Sequence, residues 1–385
     1  MEKDASVTKE KVRNYICEDL AFYILSKLPL KSLKRFGCVR KSWILLFENH
    51  HFMSIFRNNL ISYDHSYYDD TSLLLQLTNR DLCSFSGDNF GDNFDDVIID
   101  LPDPFKDEHP SIRVLDSGSI TGILCLYTIG DLRYALWNPT TEEFKIIPQL
   151  PREFDSPYIT EEVIPLGFGF DQVRNDFKLI TNVLFCLQYE DIDYPEFSCE
   201  YRIYNLKSNS WRKIDKDVGF ISSFYTETCQ RLYMNGMCHW WVFSHDGRDI
   251  TSFDLVTEEI ITTHIPLEIH PDVNDDFNVA YIPLSLMVLN GSIGFISGPL
   301  DNTTFNIYIL GEIGATESWT KLFTIGPLSD IRLSIGAGKK GDLFFQKEDG
   351  DIVRFNLTTQ LIEELDIEGD NYSILIYKKS FQSLI

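Results

Sequence analysis

Hydrophobic residues near the start of the chain recur at helical spacing. Between residues 16 and 56 they fall three or four positions apart, which predicts helices with one apolar face each. Pro29 is predicted to end the first helix, because a proline breaks the helical hydrogen-bond ladder. A second helical stretch is predicted to begin near Ser32 and to divide into two short helices around Arg40. The first part of the chain is therefore predicted to be a small all-α domain.

From about residue 111 onward the pattern changes to short apolar strands, and it repeats. A strand that begins with glycine, such as GSITGILCLY, is followed by a second strand and a polar turn, such as YALWNPTTEEFKIIP. The marker glycines are 51, 67, 55 and 50 residues apart: Gly118, Gly169, Gly236, Gly291 and Gly341. A period of about 50 residues is typical of β-propeller blades, in particular of the kelch type.

The repeats share their turn chemistry. An Asn or Asp begins the polar turn, where its side chain can accept a hydrogen bond from the backbone two residues on: Asn138, Asn205, Asp254 and Asn356. Aromatic residues follow the turn and are predicted to pack between neighbouring blades: Phe144, Trp211 and Trp319. Because these rings follow the repeat, their spacing favours a structural role over a ligand cage.

These patterns predict a propeller of six blades. Five are visible as repeats, and the sixth combines strands between residues 71 and 101 with a tail strand at 372–380, which would close the ring and remove its free edges. The predicted fold class is α+β and multidomain, a small all-α domain followed by an all-β, kelch-like propeller. The predicted segments are a disordered N-terminus at 1–15, the helical domain at 16–60, an acidic linker with the first strands at 61–110, and the propeller at 111–385.

The chain is strongly acidic. Its 58 acidic and 34 basic side chains give a formal net charge of −24, which argues against nucleic acid as the main ligand, since phosphate binding needs a cationic surface. Eight cysteines without a CxxC pair indicate reduced thiols, and the charged N-terminus lacks the apolar core of a secretory signal. We therefore expect a protein of the cytoplasm, the nucleus or both.

One uncharged stretch is long enough to cross a membrane. Residues 279–300 contain no charge, but Pro283 and Pro299 interrupt them, and small and apolar residues alternate as in strands. Asn290 and Gly291 also form a typical hairpin turn pair. The stretch therefore predicts a hairpin, and no membrane span is expected.

Recognisable motifs for catalysis or cofactor binding are missing from the sequence. The eight histidines show no zinc-ligand spacing, and GFGFDQ at 167–172 lacks the third glycine of a dinucleotide loop. Cys238 and His239 are strand neighbours that point to opposite faces, which makes them a poor nucleophile and base pair. Carboxylate pairs such as Glu258 and Glu259 lie in repeat turns and are expected to face solvent. We predict no catalytic residue, no metal site and no cofactor.

Two parts of the chain resemble a known family. The stretch EDLAFYILSKLPLKSLKRFGCVRKSWILLFENHHF resembles an F-box and matches almost every position of the pattern L-x-x-x-I-L-x-x-L-P-x-K-S-L-x-R-F-x-x-V-x-K-x-W-x-x-L. The family usually has Leu-Pro before the acidic pair, where this chain has Ile16 and Cys17. The segments WNPTT, GFGFD, IYNLKSNSWRKI and SWTKLFTI resemble, in the same order, the F-box-associated region of plant F-box proteins of the kelch-like and S-locus group.

This resemblance implies a non-catalytic adaptor protein. In the family, the F-box binds a Skp-type adaptor, which joins a cullin and a RING subunit in an SCF ubiquitin ligase, and the C-terminal domain recruits a target for ubiquitination and proteasomal degradation. Carried over by position, nine residues should face the adaptor or the F-box core: Leu20, Ile24, Leu28, Pro29, Leu33, Phe36, Val39, Trp43 and Leu46. Six basic residues of the same block would suit an acidic partner: Lys27, Lys31, Lys34, Arg35, Arg40 and Lys41.

The target is predicted to bind at loops whose length and charge vary between repeats. These are the acidic loop at 86–96 and the segments at 188–199 and 270–277. Six aspartates are the candidate target-binding residues: Asp95, Asp96, Asp191, Asp193, Asp275 and Asp276. Their charge predicts a basic patch on the target.

Three alternatives remain open at the level of sequence. The helical block could pack only against its own C-terminal domain. The protein could also be a propeller enzyme of the galactose-oxidase kind, which would need a metal or a cluster of ionisable residues at the central channel. Finally, it could be a protein-interaction scaffold that assembles no ligase.

Overall fold

The chain divides into two compact units, residues 1–62 and residues 63–385, named the helical unit and the sheet unit below. The structure is a computed structural model. It describes residues 16–62, 71–76, 82–85, 97–99, 112–128, 132–154, 158–187, 196–214, 231–244, 247–266, 285–289, 291–298, 304–338, 341–365 and 373–384.

The helical unit contains, in its described part, helices α1 (Glu18–Leu25), α2 (Leu30–Val39), α3 (Lys41–Ile44) and α4 (His50–Ser62), with a 3₁₀ turn at Leu45–Glu48. Arg40 has an extended backbone, with φ −141° and ψ 124°, and separates α2 from α3, so the predicted division is confirmed. The predicted end of the first helix at Pro29 is wrong. α1 ends at Leu25, and Pro29 is the residue directly before α2, where a missing N–H removes no helical hydrogen bond.

A small apolar core holds the helical unit together. α1, α2 and α4 contribute its buried side chains: Ala21, Leu25, Leu30, Leu33, Phe52, Met53 and Phe56. The Phe22 ring meets the Phe52 ring edge-on, with 5.0 Å between centroids. The Asn59 amide donates 3.1 Å hydrogen bonds to the backbone and side-chain oxygens of Ser26. These hydrogen bonds therefore join the C-terminal end of α1 to α4.

The sheet unit consists of strands in its described part. Their bounds are β1 Thr71–Gln76, β2 Leu82–Phe85, β3 Val97–Ile99, β4 Ile112–Ile120, β5 Ile123–Thr128, β6 Tyr134–Asn138, β7 Glu143–Ile146, β8 Ile159–Asp171, β9 Asp176–Leu187, β10 Glu196–Asn205, β11 Ser210–Lys213, β12 Leu232–Met234, β13 Met237–Ser244, β14 Gly247–Asp254, β15 Ile260–His264, β16 Ser285–Leu289, β17 Ser292–Ser297, β18 Phe305–Leu310, β19 Trp319–Ile325, β20 Ile331–Ala337, β21 Asp342–Lys347, β22 Ile352–Asn356, β23 Ile362–Leu365 and β24 Ser373–Lys378. Strands β16 and β17 occupy much of the uncharged stretch at 279–300, as predicted. Nowhere in the described part of the chain does a helix have the length and apolar character needed to cross a membrane.

Four of the described sheets each consist of four consecutive strands. β8–β11, β12–β15, β16–β19 and β20–β23 are antiparallel four-stranded sheets. A further sheet has the order β3-β2-β1-β24-β4-β5-β6-β7, in which β24 pairs antiparallel with β1 and meets β4 in parallel at Ile376 and Gly118. The prediction that the tail strand joins the strands at 71–101 is therefore confirmed.

The core of the sheet unit lies between consecutive sheets, because each sheet is apolar on both faces. Leu136 of β6 packs in one cluster with Phe168 of β8, and Trp241 of β13 packs in another with Phe295 of β17. The same arrangement joins β21 to the tail strand, where Phe344 and Ile374 share a cluster. Face-to-face packing of this kind is what the repeat pattern predicts.

The true repeat marker is the turn between the first and second strand of each sheet. Each such turn contains a residue with a left-handed backbone, with spacings of 53, 61, 55 and 50: Gly122, Asn175, Gly236, Gly291 and Gly341. Thr121 and Asn235 also have positive φ, directly before Gly122 and Gly236. The predicted markers Gly118 and Gly169 are wrong, since both lie inside first strands. Asn175 was missed because a search for glycine overlooks an asparagine, the non-glycine residue that adopts this conformation most readily.

The predicted turn chemistry is confirmed in three of the four turns. Side-chain oxygens of Asn138, Asp254 and Asn356 accept hydrogen bonds from the backbone N–H two residues on, at 3.0, 2.7 and 3.0 Å. In the fourth turn Asn205 instead donates to Asp176, which accepts the backbone hydrogen bond at 2.9 Å. A neighbouring strand therefore supplies the carboxylate that closes this turn.

Two of the three predicted aromatic residues join neighbouring sheets. The Trp211 indole donates a 2.7 Å hydrogen bond to the carbonyl of Pro148, and the Trp319 indole donates a 3.0 Å bond to the carbonyl of His264. Each acceptor lies at or just beyond the end of the last strand of the preceding sheet. Phe144 is 43% exposed, so its predicted packing between blades is wrong.

Replacing Gly118 with Ala is expected to loosen the contact between β24 and β4. A Cβ at this position would lie 2.4 Å from the backbone oxygen of Ile376, so the strands must separate, at a cost of about 2 kcal/mol. Hydrogen exchange of the β24 amides should become faster. The control is Gly236→Ala, whose Cβ would meet nothing within 4 Å and which should leave β24 unchanged despite its φ of +82°. Equal exchange in β24 for both variants would contradict the role of Gly118.

Candidate partner-binding surface

The helical unit exposes several large apolar side chains. On α1, Leu20, Tyr23 and Ile24 are 50%, 56% and 45% exposed, and their spacing places them on one helical face. The exposed apolar side chains of the following elements are Phe36, Val39, Ile44 and Leu45. We call these seven residues the apolar surface. A helical unit this small cannot cover so much apolar area internally, which is typical of a protein interaction site.

The nine residues predicted from the family pattern fall into three groups. Exposed are Leu20, Ile24, Pro29, Phe36 and Val39; partly buried are Leu28, Trp43 and Leu46; and fully buried is Leu33, at 1% exposure. Leu33 therefore belongs to the core of the unit. The contact of the other eight with an adaptor stays a prediction.

Sequence reasoning missed three members of the apolar surface. Tyr23 lies three positions after Leu20, so the helical spacing already placed it on the same face. Ile44 and Leu45 lie at the junction of α3 and the 3₁₀ turn, where the change of helix type ends the regular spacing. The helical period could have found the first of these residues but not the other two.

Positive charge borders the apolar surface. Residues 16–48 contain six basic and three acidic side chains, whereas the whole chain carries a net charge of −24. The Lys27 ammonium lies 4.0 Å from the centroid of the Tyr23 ring, and Arg40 lies 3.3 Å from Glu18 in an exposed ion pair. Because exposed ion pairs contribute little stability, the Arg40–Glu18 pair would cost little to open, and the positive charge of this border would suit an acidic partner.

The Phe36 ring is held in place by its neighbour on the next helix. It meets the indole of Trp43 at 6.0 Å between centroids and an angle of 66°, an edge-on arrangement that stabilises the pair. The contact with Trp43 on α3 therefore supports the Phe36 ring of α2. The side chains of Phe36 and Val39 both remain exposed.

The six aspartates predicted to bind a target lie outside the described residues, as does the predicted disordered N-terminus at 1–15. Near one of these loops, however, the structure shows exposed aromatic residues. Strands β8 and β9, which precede the segment at 188–195, are 13 and 12 residues long, and Ile159 pairs with Leu187 at their far end. Tyr158 and Phe197 at this end are 49% and 42% exposed.

Within the described residues, no group of three or more His, Cys, Asp or Glu side chains is placed to hold a metal ion. Cys238 and His239 point to opposite faces of β13, as predicted. Cys238 packs with Phe253, while the His239 imidazole exchanges a 2.8 Å hydrogen bond with the hydroxyl of Ser252.

The series of packed four-stranded sheets that follows the helical unit is typical of a β-propeller protein. Residues 73–380 match the family model of the F-box associated beta propeller domain, and the chain belongs to this family. The predicted membership of the plant F-box proteins with an F-box-associated domain is confirmed.

Relatives from Arabidopsis thaliana carry F-box names. The chain is 26% identical to F-box protein CPR1 over 60% of its own length and 56% of that protein, and 25% identical to the putative F-box protein At3g17490 over 86% and 79%. It thus spans about half the length of the first of these relatives. A chain of the nidogen/laminin complex has a TM-score of 0.44 at 10% identity, over 80% of this chain and 99% of that one, a likeness too small to bear on function.

Proposed function

We propose that this protein is the substrate-recognition subunit of an SCF-type ubiquitin ligase. The helical unit docks on a Skp-type adaptor, through which a cullin and a RING subunit join, and the sheet unit recruits a protein target for ubiquitination and proteasomal degradation. The protein itself is non-catalytic and acts in the cytoplasm, the nucleus or both. The observation that carries this proposal is the apolar surface of the helical unit with its basic border.

The apolar surface supports docking on energetic grounds. Full burial of a large apolar side chain contributes about 1.5–3 kcal/mol, so covering the seven exposed residues would supply a substantial part of the binding free energy, from which the cost of association is subtracted. Lys31 and Arg35 also lie on α2, and an acidic adaptor surface would be complementary to them. Leu33 supports the docking face from inside the unit and makes no contact with the adaptor.

We further propose that the sheet unit is a propeller of six blades. Four of the blades are the separate four-stranded sheets, and the eight-stranded sheet supplies two more, β4–β7 and β3-β2-β1-β24. Contacts across successive sheets support this count, including the one between β16 and β20, where the Ser285 hydroxyl donates a 2.7 Å hydrogen bond to the carbonyl of Ser334. The tail strand then closes the ring.

For target recruitment we propose the acidic loops predicted above. The support from the described residues is the exposure of Tyr158, directly before β8, and of Phe197 on β10, at the strand ends that flank the segment at 188–195. Aromatic residues are enriched at protein interfaces, and neighbouring carboxylates would select a target with basic residues.

The docking proposal is tested by replacing exposed residues of α2. Phe36→Asp with Val39→Asp should weaken binding to a purified Skp-type adaptor at least about 100-fold, because two apolar contacts of about 1.5 kcal/mol each are lost. The far-ultraviolet circular dichroism of the full chain should stay unchanged. Binding is measured by calorimetry on the full chain.

Two further variants make the docking result interpretable. Leu33→Asp should lose both binding and helicity, because it places a carboxylate in the core. Leu361→Asp changes an apolar residue of the sheet unit that is 68% exposed, and it should bind like the wild type. The proposal fails if the wild type does not bind the adaptor, or if the Phe36 and Val39 double variant binds equally well.

A further inference from the structure

A polar cleft lies where turns of the β8–β11 sheet meet a turn of the β12–β15 sheet. Its volume is about 510 Å³, and it is lined by residues of the β8–β9, β10–β11 and β14–β15 turns. Basic and hydroxyl side chains dominate the lining: Arg174, Lys207, Arg212, Ser208, Ser210 and Thr257. We call this site the basic cleft. Such a concentration of positive charge stands out in a chain with a net charge of −24.

The floor of the cleft is a satisfied ion network. The Lys178 side chain is 1% exposed, and its ammonium lies 2.8 Å from Asp171 Oδ2, 3.4 Å from Glu258 Oε1 and 2.5 Å from the carbonyl of Leu255. Asp171 is fully buried. These groups stabilise the contact between β9 and the β14–β15 turn, and Lys178 has no proton left for a ligand.

The basic side chains at the mouth of the cleft are partly exposed and make only a few hydrogen bonds within the described part of the protein. Arg174 is 55% exposed and donates through Nη1 to Asp171 and to the carbonyl of Val256, at 2.9 and 2.8 Å, while its Nε and Nη2 make no hydrogen bond among the described residues. Arg212 is 46% exposed and donates through Nη2 to Glu258. Lys207 is exposed and donates to the carbonyl of Arg174 at 2.8 Å.

The acidic side chains lie deeper in the basic cleft than the exposed basic side chains. The carboxylates sit deep, with Asp171 fully buried, Asp176 6% exposed and Glu258 20% exposed. The arginines and Lys207 lie at the mouth. An approaching ligand therefore meets guanidinium and ammonium groups first, and the low-dielectric floor strengthens their field.

We propose that the basic cleft binds an oxyanion carried by a partner protein, either a phosphorylated side chain or a run of carboxylates. Arginine guanidinium groups form paired hydrogen bonds with phosphate and carboxylate oxygens, and the hydroxyls of Ser208, Ser210 and Thr257 add donors beside them. The volume accommodates the anionic group together with its flanking residues. This site goes beyond the proposed function and is separate from the acidic loops.

A purely structural role does not explain the whole set. Arg174 and Arg212 each contact the β14–β15 turn with one side of the guanidinium, which is enough to join the sheets. Among the described residues, the hydrogen bond of the Lys207 ammonium goes to the carbonyl of Arg174 in its own sheet and does not join the two sheets. A bound anion would accept hydrogen bonds from Lys207 and from the outer guanidinium edges of Arg174 and Arg212.

The test is a calorimetric titration of the full chain with three probes: inorganic phosphate, a blocked tripeptide with a central phosphoserine, and a blocked triglutamate peptide. The wild type should bind phosphate saturably, and raised salt should weaken the binding. The double variant Lys207→Gln with Arg212→Gln should lose at least about tenfold in affinity, as expected when charge-assisted hydrogen bonds are removed. Binding of the phosphoserine peptide alone identifies a phosphate ester as the ligand, and binding of both peptides identifies an acidic segment.

Two single variants separate binding from folding. Glu258→Gln should lower the thermal unfolding midpoint, because it weakens the floor network, yet it should raise the affinity for phosphate by removing a negative charge. Arg332→Gln, an exposed arginine in β20, should leave affinity unchanged. The proposal is overturned if the wild type shows no saturable binding, if the double variant binds normally, or if Glu258→Gln weakens binding. These results do not depend on adaptor docking, which involves the helical unit.

Discussion

Replacing Asp171 with Asn is expected to lower the free energy of unfolding of the sheet unit by about 3–5 kcal/mol, the usual effect of removing one partner of a buried ion pair. Burial alone would raise the pKa of this carboxyl, but hydrogen bonds from Lys178 and Arg174 outweigh it and lower the pKa to about 2. Asn keeps the side-chain oxygen that accepts the backbone N–H groups of Val173 and Arg174. The substitution therefore removes the charge and leaves the turn intact.

Urea unfolding followed by tryptophan fluorescence measures this loss, because five of the six tryptophans lie in the sheet unit. The matched control is Asp349→Asn, which breaks an exposed ion pair with Lys347 at 3.3 Å and should cost less than about 1 kcal/mol. A double variant, Asp171→Leu with Lys178→Met, should recover part of the stability, since no buried charge is left without a partner. Equal losses for Asp171→Asn and Asp349→Asn would show that the buried pair adds nothing.

The ion network around Lys178 contains contacts that could not be predicted from the sequence. Glu258 was expected to face solvent because it lies in a repeat turn, yet it is 20% exposed and holds Lys178 and Arg212. Lys178 and Glu258 are 80 residues apart and belong to different sheets, so no local pattern relates them. Contacts of this kind arise only when the faces of two sheets pack.

Local and periodic features were predictable for physical reasons. The extended residue Arg40 interrupts the helical spacing of the first block, and the pairing of β1 with β24 follows from the need to cover two free strand edges. Leu33 and Phe36 could not be separated in this way. They lie three positions apart on α2, and only the packed unit shows that Leu33 is covered, at 1% exposure, while Phe36 is 41% exposed.

His239 is a buried imidazole whose environment favours the neutral form. The residue is inaccessible to solvent, and one ring nitrogen shares a 2.8 Å hydrogen bond with Ser252. Burial lowers the pKa of His239 from 6.5 to about 4, against a smaller opposing effect from a backbone hydrogen bond at Met234. In the unfolded chain the same side chain titrates near its ordinary value.

The sheet unit should consequently lose stability in mild acid. Between pH 6.5 and pH 4 the unfolded chain binds a proton at His239 that the folded chain does not, so the free energy of unfolding falls as the pH is lowered. The loss amounts to about 2 kcal/mol at pH 5 and about 3 kcal/mol at pH 4. The contribution is fully present above pH 6.5.

Substitution at His239 separates this effect from other acid-sensitive groups. His239→Gln retains a hydrogen-bonding partner for Ser252 but cannot be protonated, so its unfolding free energy should change little between pH 6.5 and pH 5. Asp171 and Glu258, whose pKa values are lowered, lose their contribution only as the pH falls below their ordinary values of 3.8 and 4.5. Measurements at pH 5 and above therefore report on the histidine, and an identical loss in His239→Gln and the wild type would place the acid sensitivity elsewhere in the sheet unit.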